Sequence, residues 1–195
     1  MAETTADQEA AWIRQVAEGS REAFEQIFHA YKPRLFRYLF RLTADPAASE
    51  ELLSDVIVAV WKGAKTYRGE AKPSTWIFGI AHHKAINLLR KRRPEMVELE
   101  DNDLQELEDT QQARPEDLII QKELKEKIEQ ALLRLSVSHR AVIEMTFYQG
   151  FSCQEIAEIL GCPVSTVKTR MFYARRQLQG ILGKWGEGTP KGGIR

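Results

Sequence analysis

Apolar residues recur at intervals of three or four along most of this chain, separated by polar and charged residues. From Arg21 onwards the apolar set comprises Phe24, Ile27, Phe28, Tyr31, Leu35, Phe36, Leu39 and Phe40. This period places the apolar side chains along one face of an amphipathic helix. No segment shows a convincing strand pattern, so we predict an all-α fold.

Local signals divide the first half of the chain into helices. Gly19 ends a first helix, Ser20 caps the second, and Asp45-Pro46 is an N-cap followed by proline at the first helical position. Pro33 should bend the long second helix, because proline removes a hydrogen-bond donor. We predict helices over residues 7–18, from 21 onwards, over 45–65 and over 75–92, with a loop over 66–74.

The helical pattern resumes at Glu116. One helix should bury Leu118, Ile119, Leu124, Ile128, Ala131, Leu132 and Leu135. A second helix, beginning at Ser138, should bury Ala141, Val142, Met145, Phe147 and Tyr148.

The stretch QEIAEILGCPVSTVKTRMFYARRQLQ, residues 154–179, has the pattern of a helix-turn-helix. Gly161 can adopt the left-handed conformation that ends a helix, and Ser165 and Thr166 offer hydroxyls to cap the next one. In that second helix Val167, Met171, Ala174 and Leu178 should point inward, and Lys168, Thr169, Phe172, Tyr173 and Arg176 outward. Basic, hydroxyl and aromatic groups on one face are what major-groove reading requires. An ordinary helical hairpin with a solvated basic face is the alternative.

The formal net charge is zero, with 28 basic and 28 acidic residues, but the charges are segregated. Positive charge gathers in residues 84–93 and 168–176, and negative charge in 95–117. The acidic stretch is poor in aromatic residues and bounded by prolines, so we predict a flexible linker over 94–115. The predicted organisation is two small helical domains, 1–93 and 116–182, joined by this linker, with a disordered tail over 183–195.

Several other classes of protein are disfavoured. Cys153 and Cys162 do not form a CxxC or zinc-ligand pattern, and His82 and His83 point about a hundred degrees apart on a helix, so we expect no metal and no cofactor. The N-terminus lacks a signal-peptide pattern and no apolar run is long enough to span a membrane. We therefore expect a cytoplasmic protein that does not insert into membranes.

Two stretches resemble a known family. Residues 50–94, EELLSDVIVAVWKGAKTYRGEAKPSTWIFGIAHHKAINLLRKRRP, resemble region 2 of the extracytoplasmic-function (ECF) sigma factors of bacterial RNA polymerase. Residues 151–178, FSCQEIAEILGCPVSTVKTRMFYARRQL, resemble their region 4. Their order and the acidic linker also match, and the resemblance covers roughly Ala23 to Leu182.

The resemblance implies a polymerase-docking surface on the third helix. The matching positions are Glu50, Glu51 and Asp55, supported by Leu52 and Trp61. Ala48-Ser49 departs from the family's more acidic pattern at this place. From the residues alone, these carboxylates are equally a solvated helix face or a docking surface for a basic partner.

The resemblance also implies two DNA-reading surfaces. The loop and helix after residue 65 correspond to the −10 reading and melting elements, with Tyr67, Arg68, Lys72, Trp76, His83, Asn87 and Arg90 as candidate contacts. Aromatic rings stack on unpaired bases while cations follow the phosphates. Trp76 has the alternative role of a core residue, and His83 stands where the family often has asparagine.

For the −35 element, the implied contacts lie in the helix-turn-helix. Ser165 and Thr166 should meet phosphate, Lys168, Thr169, Phe172 and Tyr173 should meet base edges, and Arg170, Arg175 and Arg176 should make phosphate or flanking contacts. Tyr173 replaces an arginine that relatives tend to have.

As a whole, the resemblance implies a sigma subunit without catalytic activity. Its partners would be core RNA polymerase, duplex −35 and single-stranded −10 promoter DNA, and an anti-sigma factor. Two alternatives are a stand-alone helix-turn-helix regulator and a nucleic-acid enzyme acting through His82 and His83. The regulator would need a dimer interface, and the enzyme lacks a carboxylate cluster and an activated nucleophile.

Overall fold

The computed structural model describes residues 5–92 and 126–186, and within these ranges every regular element is a helix. The helices are α1 (Ala6–Ala17), α2 (Arg21–Thr43), α3 (Pro46–Gly63), α4 (Pro73–Arg92), α5 (126–133), α6 (Val137–Phe147), α7 (Cys153–Leu160) and α8 (Val164–Gly186), with a 3₁₀ turn at Ala64–Thr66. The predicted all-α fold is confirmed for the described residues. None of the helices seen there is both long and apolar enough to cross a bilayer.

Side-chain caps set the helix starts in the first half of the chain. The Ser20 hydroxyl accepts a hydrogen bond from the backbone N–H of Ala23 at the start of α2. The Asp45 carboxylate does the same for Ala48, ahead of Pro46 in α3. These caps satisfy N–H groups that have no partner within the helix. Both cap predictions are confirmed.

Helices α1 to α4 enclose an apolar core centred on α2. The side chains of Tyr31, Leu35, Tyr38 and Leu39 are completely buried there. The Tyr31 hydroxyl donates to Glu9 Oε2 at 2.6 Å and so ties α2 to α1. Val56 and Val60 of α3 and Ile77, Phe78 and Ala81 of α4 complete this core.

The second half forms the expected helix-turn-helix. Ser152 and Glu155 form a reciprocal capping box at the start of α7. Gly161 ends α7 with φ of 63°, a conformation that glycine reaches without a Cβ penalty. Val167, Met171 and Ala174 of α8 pack inward against α7 and α6. The predicted roles of Gly161, Val167, Met171 and Ala174 are confirmed, whereas the capping box was not predicted.

Several boundaries differ from those predicted. Helix α4 begins at Pro73, because proline is well suited to a first turn in which its missing N–H is not needed. Helix α6 is capped by Ser136 rather than begun by Ser138. Helix α8 already begins at Val164, so Ser165 and Thr166 lie in its first turn and not at its cap.

Two further expectations require correction. Residues 183–186, placed in the predicted tail, continue α8, because an isolated glycine weakens a helix by only about 1 kcal/mol. Phe147 and Tyr148 were expected in the core but are 59% and 47% exposed. They lie at the end of α6, where the helix leaves the core. The predicted linker 94–115 and the start of the helix predicted from Glu116 lie outside the described residues.

The described parts of the two halves pack directly on each other. Helix α7 lies against α4, and α6 lies against α2. The rings of Phe78 and Phe151 meet edge to face, 5.1 Å apart between centroids, and both are buried. The buried apolar residues of the two halves thus form one continuous core.

Candidate nucleic-acid and partner interfaces

Helix α8 has a long exposed face on the side opposite its buried apolar residues. Buried Val167, Met171 and Ala174 fix the rotation of the helix. The predicted contacts exposed on the opposite side are Ser165, Lys168, Thr169, Phe172, Tyr173, Arg175 and Arg176. Phe172 is 61% exposed, and its ring meets that of Tyr173 edge to face with 5.4 Å between centroids. This face combines cations, aromatic rings and hydroxyl groups.

Neighbouring side chains hold parts of this face in place. The ring of His139 stacks on Tyr173 at 6.5 Å between centroids, and its Nδ1 lies 3.1 Å from Gln177 Oε1. The guanidinium of Arg175 lies 5.4 Å from the centre of the Phe147 ring. Thr169 donates its hydroxyl to the Ser165 carbonyl, 3.0 Å away, which leaves its oxygen available as an acceptor.

Two of the predicted contacts in α8 are less exposed. Thr166 and Arg170 are partly buried. Arg170 lies close enough to His82 of α4 for its positive charge to act on that ring. Burial, with help from the Arg170 and His83 charges, lowers the pKa of His82 to about 4. Arg170 therefore lies near the first half of the chain.

The loop before α4 is organised by two aromatic rings. Tyr67 and Trp76 pack with centroids 5.0 Å apart, and the Tyr67 hydroxyl donates to the Ala71 carbonyl at 2.6 Å. The Trp76 ring also packs closely against Gly63, where an added Cβ would lie 3.1 Å from the ring. Both rings are partly buried. Each ring therefore contributes to packing and also has an accessible part.

The cations of this loop differ in their surroundings. Arg68 is exposed and lies 3.9 Å from Glu70. Lys72 Nζ lies 2.8 Å from Glu155 Oε1 at the start of α7. The hydrogen bond and charge of Glu155 raise the pKa of Lys72. Lys72 thus joins the loop to the helix-turn-helix.

On α4, His83 and Asn87 form an exposed pair, with His83 Nε2 2.8 Å from Asn87 Nδ2. Because the amide nitrogen is a donor, this geometry assigns His83 Nε2 as the acceptor. Arg90 is exposed one turn further on. His82, by contrast, is partly buried, and its Nδ1 lies 2.8 Å from the Tyr38 hydroxyl. The adjacent histidines therefore have different surroundings. Within residues 5–92 and 126–186, no cluster of side chains is suited to holding a metal ion.

The predicted docking edge on α3 is exposed, but it is not free of cations. Glu50, Glu51 and Asp55 are all exposed. Lys84 lies 3.5 Å from Asp55, and Arg92 lies 3.5 Å from Glu51. These are surface pairs, each of which stabilises by at most about 1 kcal/mol, so a partner can displace them at little cost.

The two apolar residues predicted to support this edge lie beneath it. Leu52 is only 4% exposed and belongs to the core. Trp61 is partly buried and meets Phe24 edge to face, with 4.9 Å between centroids. Leu52 and Trp61 therefore hold α3 in position, and Leu52 is not accessible to a partner.

Sequence patterns did not reveal the polar contacts between the halves. Arg140 of α6 is 2% exposed and donates to the carbonyl oxygens of Arg41 and Leu42, at the end of α2, and of Leu133 and Leu135. Glu144, also 2% exposed, lies 3.2 Å from Arg41 Nη1. The only signal in the sequence is two charged residues on the predicted apolar side of α6.

Each half of the chain matches a known protein family. Residues 27–95 match the model of Sigma-70 region 2, and residues 125–178 match that of Sigma-70, region 4. The ECF RNA polymerase sigma factor SigX of Bacillus subtilis is 35% identical over 161 residues, which cover 81% of this chain and 82% of SigX. The chain belongs to the ECF sigma factors. Bacillus subtilis YlaC, an RNA polymerase sigma factor, is 32% identical over 82% of this chain and 91% of its own length.

Two solved structures share the fold. CnrH, solved in complex with the cytosolic domain of CnrY, superposes with a TM-score of 0.68 at 23% identity, over 92% of this chain and 99% of CnrH. The sigma factor RpoE of Bartonella quintana, solved with the anti-sigma factor NepR, gives a TM-score of 0.62 at 25% identity, over 82% of this chain and 96% of RpoE.

As an RNA polymerase sigma factor, the protein binds core RNA polymerase and promoter DNA. Sigma factors are regulatory subunits and not enzymes in their own right. Membership of the family disfavours the stand-alone regulator considered from the sequence.

Proposed function

We propose that this ECF sigma factor reads the −35 element with α8, and reads and opens the −10 element with α4 and the loop before it. The observation that carries the proposal is the exposed face of α8, where Lys168, Phe172 and Tyr173 lie on the side opposite the buried apolar residues of the helix. A helix of this kind fits the major groove, where side chains reach base edges. Ser165, Thr166, Arg170, Arg175 and Arg176 would contact phosphate around it.

At the −10 element, the accessible parts of Tyr67 and Trp76 are proposed to stack on unpaired bases. Arg68, Lys72 and Arg90 would neutralise the phosphates of the same strand. The exposed pair His83–Asn87 offers ring and amide groups that can hydrogen-bond the edge of an extruded base. A histidine in this pair indicates a −10 preference of its own.

We propose that core polymerase docks on the acidic edge of α3, formed by Glu50, Glu51 and Asp55. Their exposure and shared helix face support this role, and a basic partner surface would take over the pairings with Lys84 and Arg92. Leu52 and Trp61 would act indirectly, by fixing the helix that carries these carboxylates. Because polymerase is its partner, we infer that the protein works in the cytoplasm.

An anti-sigma factor is proposed as a further partner. CnrH was solved with the cytosolic domain of CnrY, and Bartonella quintana RpoE with the anti-sigma factor NepR. A protein of the same family and fold is suited to the same kind of control, by a partner that covers its polymerase- or DNA-binding surfaces.

The docking proposal is tested by charge reversal. We expect Glu51→Lys combined with Asp55→Lys to weaken binding to purified core polymerase at least tenfold, measured by fluorescence anisotropy of the labelled protein. The matched control is Glu25→Lys with Glu22→Lys, because these two acidic residues are exposed on α2. Equal loss of affinity in both double variants, or in neither, would contradict docking at this edge.

The proposed domain division also remains open to test. The boundaries of the predicted linker, 94–115, fall outside the described residues, whereas the predicted end of the second domain at residue 182 lies within α8. Limited proteolysis of the full chain should cut first within residues 94–115 if this division is right.

A further inference from the structure

The contact between α4 and α7 brings together two surfaces that promoter binding would use separately. Helix α7 is the first helix of the helix-turn-helix, and α4 carries the proposed −10 contacts. At this contact Phe78 of α4 meets Phe151 just before α7. Arg34 of α2 also donates from Nε to Gln149 Oε1 at 3.2 Å. The contact therefore has both an apolar centre and polar pairs around it.

Arg140 reinforces this arrangement through α2. Its Nη1 donates to the carbonyls of Arg41, at 2.9 Å, and Leu42, at 3.3 Å. The last carbonyls of a helix lack partners within the helix and carry partial negative charge. A buried guanidinium from α6 thus satisfies the end of α2. The second half is held against the first by a directional polar contact as well as by apolar packing.

At the edge of the contact, the Glu155 carboxylate lies against Lys72. Its Oε1 is 2.8 Å from Lys72 Nζ, while its Oε2 accepts from the backbone N–H of Ser152 at 2.8 Å. The Lys72 side chain is otherwise largely accessible, at 63% exposure. A carboxylate offers the same negative charge and acceptor oxygens as a backbone phosphate. Glu155 therefore provides Lys72 with the same kind of acceptor that a DNA phosphate offers.

This closed arrangement cannot engage both promoter elements at once. Elements near −35 and −10 are separated by roughly 25 base pairs, or on the order of 85 Å of duplex at about 3.4 Å per pair. Helix α7 is in direct contact with α4. Simultaneous reading of both elements therefore requires the helix-turn-helix to leave α4.

We propose that the packing of the helix-turn-helix on α4 is autoinhibitory, with Glu155 acting as an internal substitute for phosphate at Lys72. In this closed state the protein binds single-stranded DNA weakly, and separation of α7 from α4 releases the Lys72 ammonium group from Glu155. The inference rests on the proposed function, because it takes Lys72 as a DNA contact.

The test uses Glu155→Gln in the full-length protein. Glutamine keeps the capping box of α7, since this motif accepts Glu or Gln, but it removes the charge that faces Lys72. The matched control is Glu158→Gln, which makes the same charge change at an exposed position of α7. The probe is a fluorescein-labelled single strand of about twenty thymidines, which binds through phosphates and stacking without a known promoter sequence.

We expect Glu155→Gln to bind this strand at least threefold more tightly than the wild type, and Glu158→Gln to bind like the wild type. Adding Lys72→Ala to Glu155→Gln should abolish the gain. Equal affinities for the two glutamine variants would overturn autoinhibition while leaving the proposed function standing. If Lys72→Ala has no effect in the Glu155→Gln protein, Lys72 is not a DNA contact, and both the inference and that part of the proposed function fail.

Discussion

Glu144 Oε2 lies 3.2 Å from Nη1 of Arg41, and the two residues belong to different halves of the chain. Glu144 is buried, so its carboxylate has lost most of its hydration. Burial raises the pKa of Glu144 to about 7, although the charges of Arg41 and Arg37 act in the opposite direction. The contact between the halves therefore contains a carboxyl group that titrates near neutral pH.

The first prediction concerns the pH dependence caused by Glu144. Between its ordinary pKa of 4.5 and about 7, the folded state binds more protons at this site than the unfolded state does. The contribution of Glu144 to stability is therefore fully present below pH 4.5 and is lost as the pH rises to 7, by up to about 3 kcal/mol. We expect Glu144→Gln to gain stability relative to the wild type over this range.

Urea unfolding at half-unit steps from pH 4.5 to 7.5 measures this difference in the free energy of unfolding. Glu158→Gln, at an exposed site, is the control for loss of one negative charge. A difference between Glu144→Gln and the wild type that stays constant across the range would show that Glu144 does not titrate there.

The second prediction concerns His82, whose contribution to stability should change with pH in the direction opposite to that of Glu144. Its pKa is lowered from 6.5 to about 4, first by burial and then by the charges of Arg170 and His83. The stability that it contributes is present above pH 6.5 and is lost as the pH falls towards 4. We expect His82→Gln to gain stability relative to the wild type on acidification, because glutamine retains a partner for Tyr38 without becoming charged.

Thermal unfolding at pH 4.5 and pH 7 measures this gain. The same substitution at neighbouring His83, which is exposed, is the control. If His82→Gln and His83→Gln change the unfolding temperature alike on acidification, burial of His82 does not cause the loss of stability at low pH.

The third prediction concerns Arg140. Arg140→Met keeps much of the side-chain volume but leaves four carbonyl groups without their donor, so we expect a loss of roughly 3 kcal/mol in the free energy of unfolding. Arg176→Met, on the exposed face of α8, should change it by no more than about 0.5 kcal/mol. Guanidinium unfolding compares the two. A change at Arg140 as small as that at Arg176 would mean that these hydrogen bonds are not made in solution.

The fourth prediction separates base reading from phosphate contact in α8. Lys168→Ala should weaken binding to a −35 duplex by about 1–3 kcal/mol and relax the preference at one base position. Arg176→Ala should weaken binding to all sequences by a similar factor and reduce its salt dependence. Binding to a set of single-base variants of the duplex distinguishes the two. Unchanged base preferences in Lys168→Ala would remove Lys168 from the base-reading set.

Local signals in the sequence were reliable guides to the fold. Ser20, Asp45 and Gly161 act through their own neighbouring backbone, so their roles as caps and helix ends follow from residue type and position. The exposed and buried faces of α8 likewise follow from a period of 3.6 residues. These features do not depend on how the two halves meet.

Features that depend on contacts across the molecule were not predictable in this way. Phe147 and Tyr148 continue an apolar pattern, yet they are exposed at the end of α6, where the guanidinium groups of Arg175 and Arg41 lie near their rings. Arg140 and Glu144 look like surface residues by type, and only the packing of α6 against α2 buries them. The pairing of Lys72 with Glu155 joins residues far apart in sequence, so no local pattern indicates it.

Run-off transcription tests the central claim most directly. Purified protein is added to core polymerase on a pooled genomic template, with core polymerase alone and core with the Glu51→Lys/Asp55→Lys protein as controls. We predict discrete transcripts only with the wild-type protein, with two shared upstream elements near −35 and −10. An absence of transcripts together with an absence of any complex with core polymerase would contradict the account.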